Sequence, residues 1–298
     1  YTLTDIDLPL MNSVISVPLS LQPQSAIQSA SSSNLFFVEN ASGAFGNMDA
    51  AISTLLSLMQ NNSLFFFKTA SIPTGLFSRD DVVLIKVNAV GPERSGTNTD
   101  LIKSLVAKIV NHPEGFMGEI VVADNGQDTG GLNLAEHNAY DHSQSFQDVV
   151  DMFPGFKVST FSWYSIRANT VNEYDQGNLN DGYVVNSTQN PTTYLRVSYP
   201  KFRTQYGTYI SFKRGIWSTA TGSYNATKLK VINVPVLKSH YDYGVTACVK
   251  NYMGVTSQTL TSSHGTVKYG GMGTEIGQTR FPTLTLLDAI WVNANPKE

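Results

Sequence analysis

Residues 80–126, DDVVLIKVNAVGPERSGTNTDLIKSLVAKIVNHPEGFMGEIVVADNG, decide the fold. DDVVLIKVNAV is a nearly continuous β-branched run, the pattern of a strand buried on both faces of a parallel sheet. In DLIKSLVAKIV, residues Leu101, Ile102, Leu105, Val106, Ile109 and Val110 recur at helical spacing, with Thr99 placed as the cap. GEIVVADNG is a second buried strand. Strand, helix and strand within about 45 residues make a βαβ crossover, so the sheet is expected to be parallel and wound in the right-handed sense.

Ligands of such sheets collect at the carboxyl ends of the strands. The first strand delivers Asn88 there and the second delivers Asp124 and Asn125. A third comes from 231–254, VINVPVLKSHYDYGVTACVKNYMG, where Val231, Ile232, Val234, Val236 and Leu237 read as one buried strand leading to Lys238, Ser239 and His240. A turn with Gly244 and a short helix are expected next, capped by Thr246 and stopped by Gly254. Lys250 then falls in the first helical turn, where the macrodipole disfavours a cation unless an anion is near. With Asn251 added, these residues form one polar rim suited to a small anion, a carboxylate or phosphate, or to a divalent metal at His240.

The rest of the chain carries less chemistry. Residues 1–34 hold a Ser/Gln/Pro-rich patch and read as an extended arm or linker, a tail or a contact for a homo-oligomer. A helix is expected from Met48 and a short strand over 64–68. The stretch 126–228 reads as a β-rich insertion, in which His137 and His142 lack the i, i+4 spacing of a helical metal pair. Lys201, Arg203, Lys213 and Arg214 are either anion-pocket residues or solvated edge charges. Residues 284–292 suggest a last strand containing Asp288, a carboxylate that is either paired, with Arg280 as the structural partner, or functional.

Composition narrows the classes. A net charge of −3 with only 14% charged residues implies no basic face for nucleic acid. No apolar run reaches the roughly 18 to 20 residues of a membrane span. The single cysteine, Cys248, rules out an internal disulfide. Polarity from Ser, Thr, Asn, Gln and Tyr, with a start at Tyr1 in place of methionine, suggests export to the cell surface or beyond. The sequons at Asn40, Asn61, Asn186 and Asn225 would then be open to glycosylation.

The stretch 231–254, together with VVLIKVN, IVVADNG, YPKFRTQYGTYISFK and LTLLDAIWVNANP, resembles the DUF362 family, a domain of unknown function, from Asp80 onward. The resemblance implies a DUF362-like α/β domain over 35–298. Some members are joined to iron-sulfur modules, but a lone cysteine holds no such cluster. Members usually continue further with acidic residues, which implies a truncated domain or a site with a part missing. More weakly, His240, Gly244, Thr246 and Lys250 match the H-x3-G-x-[ST]-x3-K spacing of the nickel-pincer lactate racemases, whose first loop aligns with Gly91 and Pro92. That resemblance implies an anchoring or electrophilic Lys250 and a general acid/base His240. Ala247, Cys248 and Val249 stand where the racemases have glycines, so site geometry is carried over and the reaction is not.

The reading is an α/β protein with a mostly parallel Rossmann-like sheet, flanking helices and a β-rich insertion. It is expected to bind a small anionic ligand as an enzyme, a former enzyme or a binding protein. The alternative is a surface or self-assembling protein on a retired enzyme scaffold.

Overall fold

The structure, a computed structural model, describes residues 13–18, 32–42, 44–90, 95–128, 131–133 and 143–293. His137, His142, Gly91, Pro92 and much of the 1–34 arm lie outside them. Within the arm, β1 (Ser13–Pro18) pairs antiparallel with β2 (Ser32–Phe37). Helix α1 (Phe45–Asn61) follows, then β3 (Phe67–Lys68) and β4 (Phe77–Ser78), a short parallel pair.

The βαβ unit forms as expected, with β5 (Val82–Lys86), α2 (Thr99–Val110) and β6 (Glu119–Asp124). Strands β5 and β6 pair in parallel, and every residue in both is buried. The cap of α2 is Asn98, not Thr99: its side chain accepts a hydrogen bond from the Leu101 N–H at 3.0 Å. Next come α3 (Phe146–Asp151), opened by a capping box between Ser145 and Asp148, and β7 (Val158–Ser162), parallel to β6.

The chain then builds a meander of β8 (Gly182–Val185), β9 (Ser198–Arg203), β10 (Tyr209–Ser211), β11 (Gly215–Ser218) and β12 (Ser223–Asn225), antiparallel at each step. The β-rich part is therefore narrower than 126–228, because α3 and β7 belong to the central layers. Strand β13 (Leu229–Asn233) returns to pair in parallel with β5.

The expected single strand through 231–237 breaks at Val234–Pro235. Proline has no N–H to donate to a ladder. The chain leaves the central sheet there and forms β14 (Val236–His240) in another sheet, with β15 (Gly244–Thr246) folded back on it. Helix α4 (Gly271–Gln278) precedes β16 (Leu284–Thr285) and β17 (Asp288–Asn293). The expected last strand divides in the same way: β16 joins β13 and β17 joins β14, both in parallel.

The central sheet has the order β16-β13-β5-β6-β7 and is parallel throughout. Alternation along β5 assigns its two faces. Val83 and Ile85 pack with Ile102, Leu105, Ile109 and Phe146 under the helices, whereas Val82 and Leu84 pack with Trp163, Phe202, Phe212 and Tyr252. Helices thus cover one face, and the antiparallel meander with the 250–276 segment covers the other. The protein is mixed α/β with one parallel sheet and several smaller ones. No helix among the described residues is long and apolar enough to cross a membrane.

Candidate functional site

The β5 run ends on a charge. Lys86 is fully buried, and in parallel register it lies beside Ala123, one residue before Asp124. The two side chains form an ion pair of 2.6 Å with neither exposed by more than 1%. Lys86 also donates to the Val87 carbonyl at 2.6 Å, and Asp124 Oδ2 accepts from the N–H groups of Ala89 (3.0 Å) and Gly126 (3.1 Å). Burial pushes the Lys86 ammonium down while Asp124 pulls it back up. Gly254 closes over this pair: a Cβ there would stand 2.1 Å from Asp124 Oδ1 and 2.7 Å from Lys86 Nζ.

Asparagines frame the floor. Asn251 Nδ2 donates to Asn233 Oδ1 at 2.8 Å, Asn233 Nδ2 to the Cys248 carbonyl at 2.9 Å, and Asn125 Nδ2 to the Thr256 carbonyl at 2.8 Å. Asn88 Oδ1 accepts from the Val90 N–H at 3.1 Å. Gly126 and Gln127 follow β6 with φ of 66° and 46°, so a non-glycine residue is held in the left-handed region at the rim.

Above the floor lies a cavity of about 260 Å³. Asn88, Asp124, Lys238, Ser239, His240, Thr246, Lys250 and Asn251, all expected at the rim, line it, whereas Asn125, also expected there, does not. Gly244 does not; it sits in the hairpin opposite His240 with φ 77°, a turn position that favours glycine. The expected helix after it is absent. Thr246 lies in β15 opposite Lys238, and Lys250 opens a five-residue 3-10 turn that ends at Gly254. No helix N-terminus therefore faces the cavity from this segment.

Lys238 Nζ donates to the Ser95 carbonyl at 2.6 Å. Burial first, and the neighbouring Lys250 charge second, push its ammonium down to about 8, against a pull from Asp124. Burial likewise pushes Lys250 down to about 8, opposed by Asp242. Lys250 stands 5.6 Å from the Tyr243 ring centre, and no hydrogen bond or ion pair engages it among the described residues. His240 and His264 are held below the ordinary imidazole range, by burial and then by Lys250. The Asp242 N–H donates to His240 Nδ1 at 3.2 Å, which leaves the proton of the neutral ring on Nε2. The Ser239 Oγ and Thr246 Oγ1 hydroxyls are buried without a hydrogen-bond partner among the described residues.

Lys86, Gln127 and Tyr241 also line the cavity and were not anticipated. Lys86 is hidden in sequence by its apolar neighbours; a lone cation in a strand buried on both faces is the signal that it needs a partner. Among the described residues no group of three His, Cys, Asp or Glu side chains is placed to hold a metal. The cations of the meander stand elsewhere. Lys201 donates to the Asn172 and Asn178 carbonyls, Arg214 pairs with Asp175, and Arg203 stacks on Tyr209. Asp288 does not pair with Arg280. It accepts from the Asn98 N–H at 2.7 Å, whereas Arg280 donates to the carbonyls of Phe212, Lys213, Ala226 and Leu229.

No curated protein and no solved structure matches the chain. The lactate racemase resemblance gains no support from the comparisons. One family model does match, over a narrower span than residues 80–298. It takes in Lys238, His240, Thr246, Lys250 and Asn251 and leaves out Lys86, Asn88 and Asp124. Residues 199–297 are similar to the family described as Domain of unknown function (DUF362).

Proposed function

We propose that the chain binds a small anion, a carboxylate or a phosphate, in the cavity at the carboxyl ends of β5 and β6, the use a Rossmann-like sheet makes of its strand ends. The observation that carries this reading is a charge imbalance. Lys86, Lys238 and Lys250 line the cavity, and Asp124, its one carboxylate among the described residues, is already engaged by Lys86 and two backbone N–H groups. Uncompensated buried charge costs stability, and an anion between Lys238 and Lys250 would offset it. Neutral His240, carrying its proton on Nε2, is placed to donate to the ligand or to serve as a general acid/base.

Calorimetric titration with inorganic phosphate and with acetate tests the proposal. The wild type is expected to bind at least one of them, and Lys238→Met and Lys250→Met to lose that binding while keeping a native thermal transition. Retained binding in both variants would remove the cavity from consideration. Plasma mass spectrometry of the natively purified protein tests the metal reading separately. With no metal set among the described residues, no stoichiometric transition metal is expected, and one lost in His240→Ala would restore that reading.

We also propose export, on composition. Asn40, Asn61 and Asn225 are exposed and Asn186 is half-buried, its Nδ2 donating to Gln278 at 3.3 Å. Glycosylation is therefore expected first at the three exposed sequons, read by mass shift after enzymatic deglycosylation of the secreted chain; an unmodified secreted chain would count against it.

A further inference from the structure

We infer that the anion suited to this cavity is a phosphate monoester, held by its phosphoryl group between Lys238, Lys250 and Thr246. This inference rests on the anion-binding reading above and names its ligand class.

Charge comes first. With Asp124 neutralised by Lys86, Lys238 and Lys250 present two positive charges that no lining carboxylate among the described residues answers. A phosphoryl group carrying about −1.5 to −2 at neutral pH matches them, whereas a monocarboxylate leaves one ammonium uncompensated.

Donor geometry separates a phosphate from a dicarboxylate of equal charge. In the β14–β15 ladder Lys238 lies directly opposite Thr246, so ammonium and hydroxyl share one face of the hairpin. Thr246 is 3% exposed and its Oγ1 has no hydrogen-bond partner among the described residues. Buried hydroxyls are ordinarily satisfied, so one left open at a cavity points to an acceptor that arrives with the ligand. Three phosphoryl oxygens can accept from this hydroxyl and both ammoniums at once. No arginine among the described residues lines the cavity, so the planar fork that suits a carboxylate is missing and point-charge lysines stand in its place.

The ester group has room. A phosphoryl group displaces only a few waters' share of about 30 Å³ each, and the cavity is about 260 Å³. Tyr241, 75% exposed at the hairpin tip, lines the same cavity and offers a ring face to the organic part.

The test titrates the full chain at pH 7 with methyl phosphate, malonate and acetate. Methyl phosphate is expected to bind about tenfold tighter than either carboxylate, as one hydroxyl bond to a charged group warrants. Thr246→Val should lose most of that preference while still binding malonate. A second titration compares methyl phosphate with methyl sulfate, whose single charge is fixed, from pH 5 to pH 8. Lys238, Lys250, His240 and Asp124 line the cavity and Asp242 and His264 act on them from beside it, and the protonation of all six acts on both esters. The ratio of the two affinities therefore isolates the second phosphate proton and should fall below about pH 6. Equal or tighter malonate binding, an unchanged preference in Thr246→Val, or a flat ratio would overturn the phosphate assignment and leave the anion reading standing. Failure of all four anions to bind would overturn both.

Discussion

Lys201 in the antiparallel meander and Lys250 in the cavity are both lysines drawn out of water, and they are treated oppositely. Lys201 is fully buried, donates to the Asn172 carbonyl at 2.7 Å and to that of Asn178, and lies 4.3 Å from the Tyr174 ring centre. Its neighbour Glu173 is itself saturated by the hydroxyls of Tyr199, Ser211 and Tyr224. Lys250 has a distant ring and an opposing Asp242, with no hydrogen bond among the described residues. A buried cation whose donors are all used belongs to the architecture. One left, among the described residues, with free donors beside a cavity is the kind that the proposed anion would engage. Lys86 sits on the same cavity yet belongs with Lys201, because Asp124 and the Val87 carbonyl engage it.

The sharpest way to break this division is Lys86→Met. It leaves Asp124 buried with no cation, and breaking a buried pair by removing one partner costs about 3–5 kcal/mol. Urea denaturation should show the loss at neutral pH. A cost no larger than that of an ordinary surface change would put Lys86 among the ligand-reserved lysines and undo the comparison.

Gly254→Ala attacks the same pair by crowding. The added Cβ would overlap Asp124 Oδ1 and Lys86 Nζ, and these atoms lack the free play of an exposed side-chain end. A destabilisation of about 1–3 kcal/mol is expected, as for overpacking in a core. Asp288→Asn should cost less, about 1 kcal/mol, as for a weakened helix cap. Because Asp288 serves the Asn98 N–H and Arg280 serves four carbonyls elsewhere, Asp288→Asn and Arg280→Ala should add to within about 0.5 kcal/mol. A larger coupling would revive the ion pair that the sequence suggests.

These residues also mark what could be read in advance. The βαβ unit was readable because two-sided burial makes β5 and β6 unbroken apolar runs, a local signal. The rim residues followed from the rule that parallel strands end at the ligand, and Asn88, Asp124, Lys238, His240, Thr246, Lys250 and Asn251 do line one cavity. What failed was long-range. Val234–Pro235 interrupts an apolar run too short to look broken, so β13 and β14 merged into one strand. Thr246 and Gly254 have the residue types of a helix cap and stop, yet Thr246 is spent on pairing with Lys238, and Gly254 is needed for space over a carboxylate 130 positions earlier in the chain. The Lys86–Asp124 pair joins neighbouring strands, and no local pattern announces it.

The smallest expected effect has the opposite sign, and so separates the two kinds of lysine most cleanly. Lys238 and Lys250 are held near 8, below their ordinary 10.5. Between those values the unfolded chain binds more protons than the folded one, so stability rises with pH across the window from about 8 to 10.5. Below 8 both ammoniums are charged and their cost is fully present. Lys250→Met removes one such group. Its melting temperature at pH 7 should therefore match or slightly exceed that of the wild type, and its stability should rise less steeply above pH 8. Saturating phosphate should then reverse the order, since ligand binding stabilises only a protein that retains the site. A Lys250→Met variant that is markedly less stable than the wild type in the absence of added anion would mean that Lys250 is a structural cation like Lys201.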